Sequence, residues 1–194
     1  MQIILASASP RRQELLKLIF DDFIIQTSSC EENAVFSTPS QYVMDLAMQK
    51  ALDVAKSISG SYSESLVLGA DTIVFHKNTV LGKPKDKDDA RQMISSLSGD
   101  VHFVYTGICL AHTINGTLNT NTAYACTKVR VASLSETEIT EYISTSEPYD
   151  KAGGYAIQGL FGKHIVGIEG DYYNVVGLPV HLLYEILKTH NLIY

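Results

Sequence analysis

Ser65-Leu-Val-Leu-Gly-Ala-Asp71-Thr-Ile-Val-Phe75 reads as a buried strand with a single carboxylate set into it. An ionised carboxylate in such a run costs on the order of several kcal/mol unless a cation or a set of donors compensates it. Asp71 therefore marks a candidate site. The plainer alternative is a strand end, where Asp71 caps a turn that Gly69 makes possible.

Upstream, the chain opens as strand, tight turn, helix. Ile3-Ile-Leu-Ala6 is a short apolar run, Ser7-Ala-Ser9 a small-residue turn, and Pro10 suits the first helical position, which leaves Ser9 as the N-cap. Leu15, Leu16, Leu18 and Ile19 give the helix an apolar face and place Arg11 and Arg12 in its first turn. Cations at the positive end of a helix are unfavourable without an anion, so the pair suggests a phosphate site; the alternative is two solvated surface arginines. A second helix runs between Pro39 and Ser57, with Val43, Leu46, Ala47, Ala51 and Val54 at helical spacing. Lys50 falls on that inward stripe. Its ammonium either snorkels to solvent or points at a carboxylate or phosphate.

Downstream, Lys77-Asn78 reads as a hairpin that returns Val80-Leu-Gly82-Lys83-Pro84 toward Asp71, adding another cation. Asp86 and Asp88-Asp89 start a helix closed by Gly99, and Asn115-Gly116 is a type I′ hairpin signal between two strands, His102–Ala111 and Thr117–Val131. Ser135-Glu-Thr-Glu138 is a capping box for a helix with Ile139, Tyr142 and Ile143 inward, ended by Glu147-Pro148. In Asp150-Lys-Ala-Gly153-Gly-Tyr-Ala-Ile-Gln158-Gly159, paired glycines permit close backbone approach, and Asp150, Lys151 and Gln158 offer groups able to read a base edge. The bland reading is a salt-bridged turn. Gly162-Lys163 is no nucleotide P-loop, since no Gly stands five residues earlier and His164 replaces Ser or Thr.

With 194 residues, 45% of them hydrophobic, the chain can bury one sizeable core, arranged in one or two lobes. Neither a basic leader nor an uninterrupted apolar span is visible, so a soluble cytoplasmic protein without membrane contact is expected. Cys30, Cys109 and Cys126 lack the spacing of a disulfide framework or thiolate metal site and read as buried small hydrophobes. A net charge of −6 argues against nucleic-acid binding. Glu31, Glu32 and Asp71 are hard oxygen donors suited to magnesium or manganese, which also take substrate phosphates. Several cations with a few carboxylates point to a polyphosphate such as a nucleoside triphosphate, and to metal-assisted attack of water on a phosphoanhydride.

Five motifs in order carry a family resemblance: Leu5-Ala-Ser7-Ala-Ser9-Pro10-Arg11-Arg12 with Glu14-Leu-Leu, Leu68-Gly-Ala-Asp71-Thr72, Gly82-Lys83-Pro84, Asp150-Lys-Ala-Gly153-Gly-Tyr155 and Gly170-Asp-Tyr-Tyr-Asn-Val-Val-Gly177-Leu-Pro179. Together they resemble the Maf family of nucleotide pyrophosphatases from residue 3 to about residue 187. The resemblance implies a single α/β domain over residues 1–194, with two lobes around a central cleft and an elongated twisted mixed sheet with flanking helices, similar to the inosine triphosphate pyrophosphatase fold. It also implies cleavage between the α and β phosphates with a divalent cation.

By the same resemblance Asp71 is the catalytic proton acceptor and, with Glu32, a metal ligand. Ser7, Arg12, Lys50 and Lys83 hold phosphates, and Arg11, Thr72 and Gln158 choose the base. Thr72 after Asp71 resembles the dTTP and UTP branch, with modified pyrimidine nucleotides as house-cleaning substrates; the 7-methyl-GTP branch tends to carry Gln there. The motif residues show no departure from the family pattern, although Gly154, where the family often has Ala, and Phe161 after Leu160 bear on the pocket wall. A 7-methyl-GTP or broad noncanonical specificity is the alternative among enzymes, and a non-catalytic nucleotide-binding regulator of cell division is the alternative of another class. A homodimer is compatible with the resemblance.

Overall fold

The structure is a computed structural model that describes residues 1–31 and 33–193. In chain order its first half contains β1 (Gln2–Leu5), α1 (Pro10–Leu16), β2 (Ile24–Ile25), α2 (Pro39–Ser57), β3 (Ser65–His76), β4 (Thr79–Leu81) and α3 (Lys87–Leu97). The second half contains β5 (Val101–Ile114), β6 (Thr117–Val131), α4 (Glu136–Ile143), β7 (Ile165–Glu169), α5 (Tyr172–Val176) and α6 (Val180–Thr189). The strands form one mixed sheet in the order β2-β1-β3-β5-β6-β7, with β4 paired to β3 off that path. β1 runs parallel to β2 and β3, whereas β3–β4 and β6–β7 are antiparallel. The mixed α/β class is the one the resemblance implies.

Local chemistry accounts for most boundaries. Pro10 and Pro39 open α1 and α2 behind Ser9 and Thr38, whose hydroxyls accept from the amides of Arg12 and Gln41. Asp86 caps α3, and Ser135 with Glu138 forms the complete capping box of α4. Both hairpin turns, Lys77-Asn78 and Asn115-Gly116, have positive φ at the two central residues, as a type I′ turn requires. α1 stops at Leu16, so Leu18 lies beyond the helix and is exposed instead of extending its apolar face.

The chain divides into two compact units. The first comprises Met1–Asp71, Thr106–Ala125 and Gly177–Tyr194. In its core, Ala47, Ala51 and Val54 of α2 cluster with Ile4, Val67 and Cys109 from the strands. The fit is made at backbone level: a Cβ on Gly69 would stand 2.2 Å from the Ala47 carbonyl oxygen, and one on Gly107 would stand 2.3 Å from that of Val43. Gly69 thus serves close helix packing; β3 passes through it without the bend that the plainer reading of Asp71 needs.

The second unit comprises Thr72–Tyr105 and Cys126–Val176. Val74, Ile94, Val104, Val129, Ile143 and Phe161 are among the residues of its separate core. Of the three cysteines only Cys109 is the buried hydrophobe expected, its thiol pushed up to about 12 by burial; Cys30 is half-buried and Cys126 exposed. Among the described residues no helix is long and apolar enough to cross a membrane.

Candidate active site

Asp71 sits within β3 and not at its end, so the cap-and-turn alternative is not what the chain adopts. The packing that removes the side chain at Gly69 also brings α2 down onto this strand. Lys50 lies one turn beyond Leu46 and Ala47, and its Nζ donates a hydrogen bond to Asp71 Oδ1. The two side chains are 18% and 14% exposed, so each charge is compensated by the other while both stay within reach of solvent. Lys50 takes the inward option and meets a carboxylate.

The β1–β3 register brings the opening turn alongside the same strand. Leu5 pairs with Leu68, and the Ala6 amide donates to the Leu68 carbonyl at 2.8 Å, so Ser7 leaves the sheet beside the stretch that leads to Asp71. Ser7 is buried, and its Oγ accepts from the Ser9 amide at 3.3 Å and from Arg12 Nη1 at 3.2 Å. Arg12 Nε donates to the Gly177 carbonyl at 2.9 Å. Its guanidinium is folded back across the turn, which sets aside the solvated-surface alternative for Arg12. Arg11 is half-buried in the first turn of α1.

In the second unit, the β3–β4 register pairs Val74 with Leu81 and so carries Gly82 and Lys83 back along β3 in the direction of Thr72. Thr72 is half-buried and Lys83 exposed. The Gly153 amide donates to the Gly82 carbonyl at 2.9 Å, which ties the 150–159 loop to the Lys83 segment. Gly153 has φ 68°, and a Cβ there would stand 2.8 Å from Val74 Cγ2, so both conformation and space call for glycine. Lys151 and Asp150 pair with each other, the salt-bridged turn of the bland reading, while Gln158 is exposed.

Further polar anchors escaped the sequence reading. Asp53 Oδ2 accepts from Ser28 Oγ and the amides of Ser29 and Cys30, and Gln49 Oε1 accepts from the Asn33 amide. These bonds clamp the chain on either side of Glu31 to the helix that carries Lys50, and they hold the Asp53 carboxyl below the usual carboxylate range. The legible signal was two polar residues flanking Lys50 near an apolar stripe. The Gly177 carbonyl that orients Arg12 belongs to the motif containing Gly177-Leu-Pro179 and left no side-chain signal. The Glu147 carboxylate, beyond the end of α4, accepts the amides of Leu160 and Phe161.

Among the described residues no three His, Cys, Asp or Glu side chains come together as a preformed metal cage. Glu32 lies outside the described residues. Asp71 is a hard oxygen donor of the kind magnesium uses singly, with phosphate oxygens and water completing the shell, so its chemistry fits a cation that arrives with a polyphosphate.

A strand-borne acid paired with a helix-borne lysine, beside a turn holding a folded-back arginine, is set into a mixed α/β fold. The chain belongs to the Maf-like protein family, whose model matches residues 2–190. A relative from Clostridium novyi, named dTTP/UTP pyrophosphatase, is 50% identical over 188 residues, covering 96% of this chain and 96% of its own. One of the same name from Agathobacter rectalis is 48% identical over 198 residues, with 96% of each chain covered. Among solved structures, the Ham1 protein of Staphylococcus aureus shares the fold with a TM-score of 0.50 at 13% identity, over 98% of this chain and 100% of that one.

Proposed function

We propose that this chain hydrolyses nucleoside triphosphates, dTTP and UTP foremost, to the monophosphate and pyrophosphate. The observation that carries the reading is the Lys50–Asp71 pair, because it keeps a carboxylate in a mostly buried strand with a cation that a phosphate can claim. When a triphosphate engages the Lys50 ammonium, the Asp71 carboxylate is released to accept a proton from water. The water oxygen then bonds to the α phosphorus, and the bond to the bridging oxygen breaks with its electrons leaving on pyrophosphate.

Ser7 and Gly177 hold the Arg12 guanidinium in place for a phosphate, so little side-chain entropy is lost on binding. Lys83 is assigned the same task from the other segment. A divalent cation bound at Asp71, with Glu32 as the second ligand, would neutralise phosphate charge and polarise the anhydride. Thr72 and Gln158 supply a hydroxyl and an amide able to meet the O2, N3–H and O4 edge of uracil or thymine, with Arg11 as a further selecting group. We read residues 1–194 as one functional unit acting on free nucleotides in the cytoplasm, canonical or modified, and its net charge of −6 disfavours nucleic acid as the substrate.

The test is release of pyrophosphate and monophosphate from a panel of dTTP, UTP, CTP, GTP, ATP, 7-methyl-GTP and modified pyrimidine triphosphates, with magnesium or manganese and again after chelation. Equimolar pyrophosphate and monophosphate from dTTP and UTP, lost on chelation, is the expected result. Orthophosphate release, preference for 7-methyl-GTP, or no turnover of any nucleotide overturns it.

A further inference from the structure

The segments before and after Gln158 meet at one carboxylate, that of Glu147. Two residues after the short Tyr155–Gly159 bridge are tied directly to this side chain, and one before it, Gly154, through a tyrosine. On the far side, Glu147 Oε2 accepts from the Leu160 amide at 2.7 Å and Oε1 accepts from the Phe161 amide at 3.3 Å. On the near side, the Tyr142 hydroxyl lies 3.0 Å from Glu147 Oε1 and 3.0 Å from the Gly154 carbonyl.

Gly159, next to Gln158, lies so close to the carboxylate that an added Cβ would stand 2.3 Å from Oε2. Burial of the phenol and the nearby Glu147 charge push the Tyr142 hydroxyl well above its ordinary range, so it remains a donor. Phe161 is fully buried, its tilted ring centred 5.0 Å from those of both Tyr142 and Tyr155, which seats the framework of this loop in the core. Gln158 itself is exposed at the tip.

We propose that Glu147 is a positioning residue for base selection, acting through Gln158. This rests on the pyrimidine triphosphate reading above. A side-chain amide selects a base edge only when its backbone is fixed, because a loose glutamine meets purine and pyrimidine edges alike. A carboxylate is required here in particular. It accepts from two amides and shares the Tyr142 proton with the Gly154 carbonyl, whereas a glutamine would turn an NH2 group toward one of those donors.

The experiment compares kcat/KM for UTP and for GTP in the unmutated protein, Glu147→Gln, Gln158→Ala and the double variant, with circular dichroism and melting as the folding control. Expected for Glu147→Gln is a fall of about tenfold in UTP kcat/KM, mainly through KM, with GTP kcat/KM unchanged. In the Gln158→Ala background Glu147→Gln should add nothing to the loss of discrimination, since its effect passes through that amide. Equal losses on UTP and GTP, or losses that multiply in the double variant, overturn the positioning role.

If Glu147→Gln does not fold, Tyr142→Phe removes the other arm of the clamp and must lower the UTP-to-GTP ratio by the same route; an unchanged ratio overturns the proposal. Pyrimidine selectivity in the unmutated protein that persists in Glu147→Gln refutes the role of Glu147 alone. Absence of pyrimidine-selective turnover in the unmutated protein refutes the underlying reading and this inference with it.

Discussion

Lys50, from the middle of α2, reaches Asp71 of β3 because the strand has no side chain at Gly69 to keep the helix away. The ion pair and the glycine are one arrangement: the close approach that Gly69 allows sets the depth at which a lysine one turn further on meets the carboxylate. Replacing Asp71 by Asn keeps the shape and most hydrogen bonding but removes the proposed proton acceptor. Turnover of dTTP should fall at least about 100-fold, the usual scale for an acid–base group, while triphosphate binding persists. Pyrophosphate release and calorimetric binding measured on the same preparation check it, and undiminished turnover would remove Asp71 from the mechanism.

Lys50→Met should do more damage than its partner's substitution. It deletes the proposed phosphate ligand and leaves Asp71 mostly buried without its cation, so both the KM for triphosphate and the stability of the fold should suffer. A loss of about 1 to 3 kcal/mol in unfolding free energy is expected, read from urea denaturation. The double variant Lys50→Met with Asp71→Leu should recover much of that stability without any activity.

Gly69→Ala tests the packing directly. The new Cβ would meet the Ala47 carbonyl oxygen at 2.2 Å and the Ala51 amide nitrogen at 2.8 Å, both backbone atoms that cannot rotate away. The helix must shift, at about 1 to 3 kcal/mol, and the Lys50–Asp71 contact shifts with it. Melting temperature and kcat should both drop. Gly82→Ala, where an added Cβ meets nothing within 4 Å, is the matched control and should melt close to the unmutated protein.

What could be read from the sequence was whatever local chemistry decides. The caps at Ser9, Asp86 and Ser135, the two hairpin turns and the burial of Asp71 all depend on residues within a few positions of one another. Lys50 could be assigned to an inward stripe, though not to a partner, because helical periodicity says nothing of what the stripe faces. Contacts between distant segments were hidden for the same reason. Arg12 is oriented by a carbonyl 165 positions away, and Gly69 looked like a strand breaker because the helix that needs its missing side chain lies elsewhere in the chain. The roles of Asp53 and Glu147 carry no sequence signal, since a carboxylate that organises loop amides looks in sequence like one that is merely solvated.

His102 supplies a pH dependence that is separate from the proposed chemistry. It is fully buried in the second unit, its Nε2 lies 2.6 Å from the Tyr155 hydroxyl, and its Nδ1 has no partner among the described residues. Burial first, then the neighbouring His76, depress it from 6.5 to about 4, with Asp100 opposing weakly. A depressed histidine favours the neutral form in the folded state, so between those values the unfolded chain binds more protons and stability rises with pH. The contribution is complete above about pH 6.5 and is lost as pH falls toward 4. Unfolding free energy should therefore drop by about 2 kcal/mol between pH 7.5 and pH 5 from this residue. His102→Phe gives up the Tyr155 hydrogen bond and should be less stable at pH 7.5, yet its urea midpoint should change less across the same interval. A slope equal to that of the unmutated protein would assign the acid sensitivity to other groups.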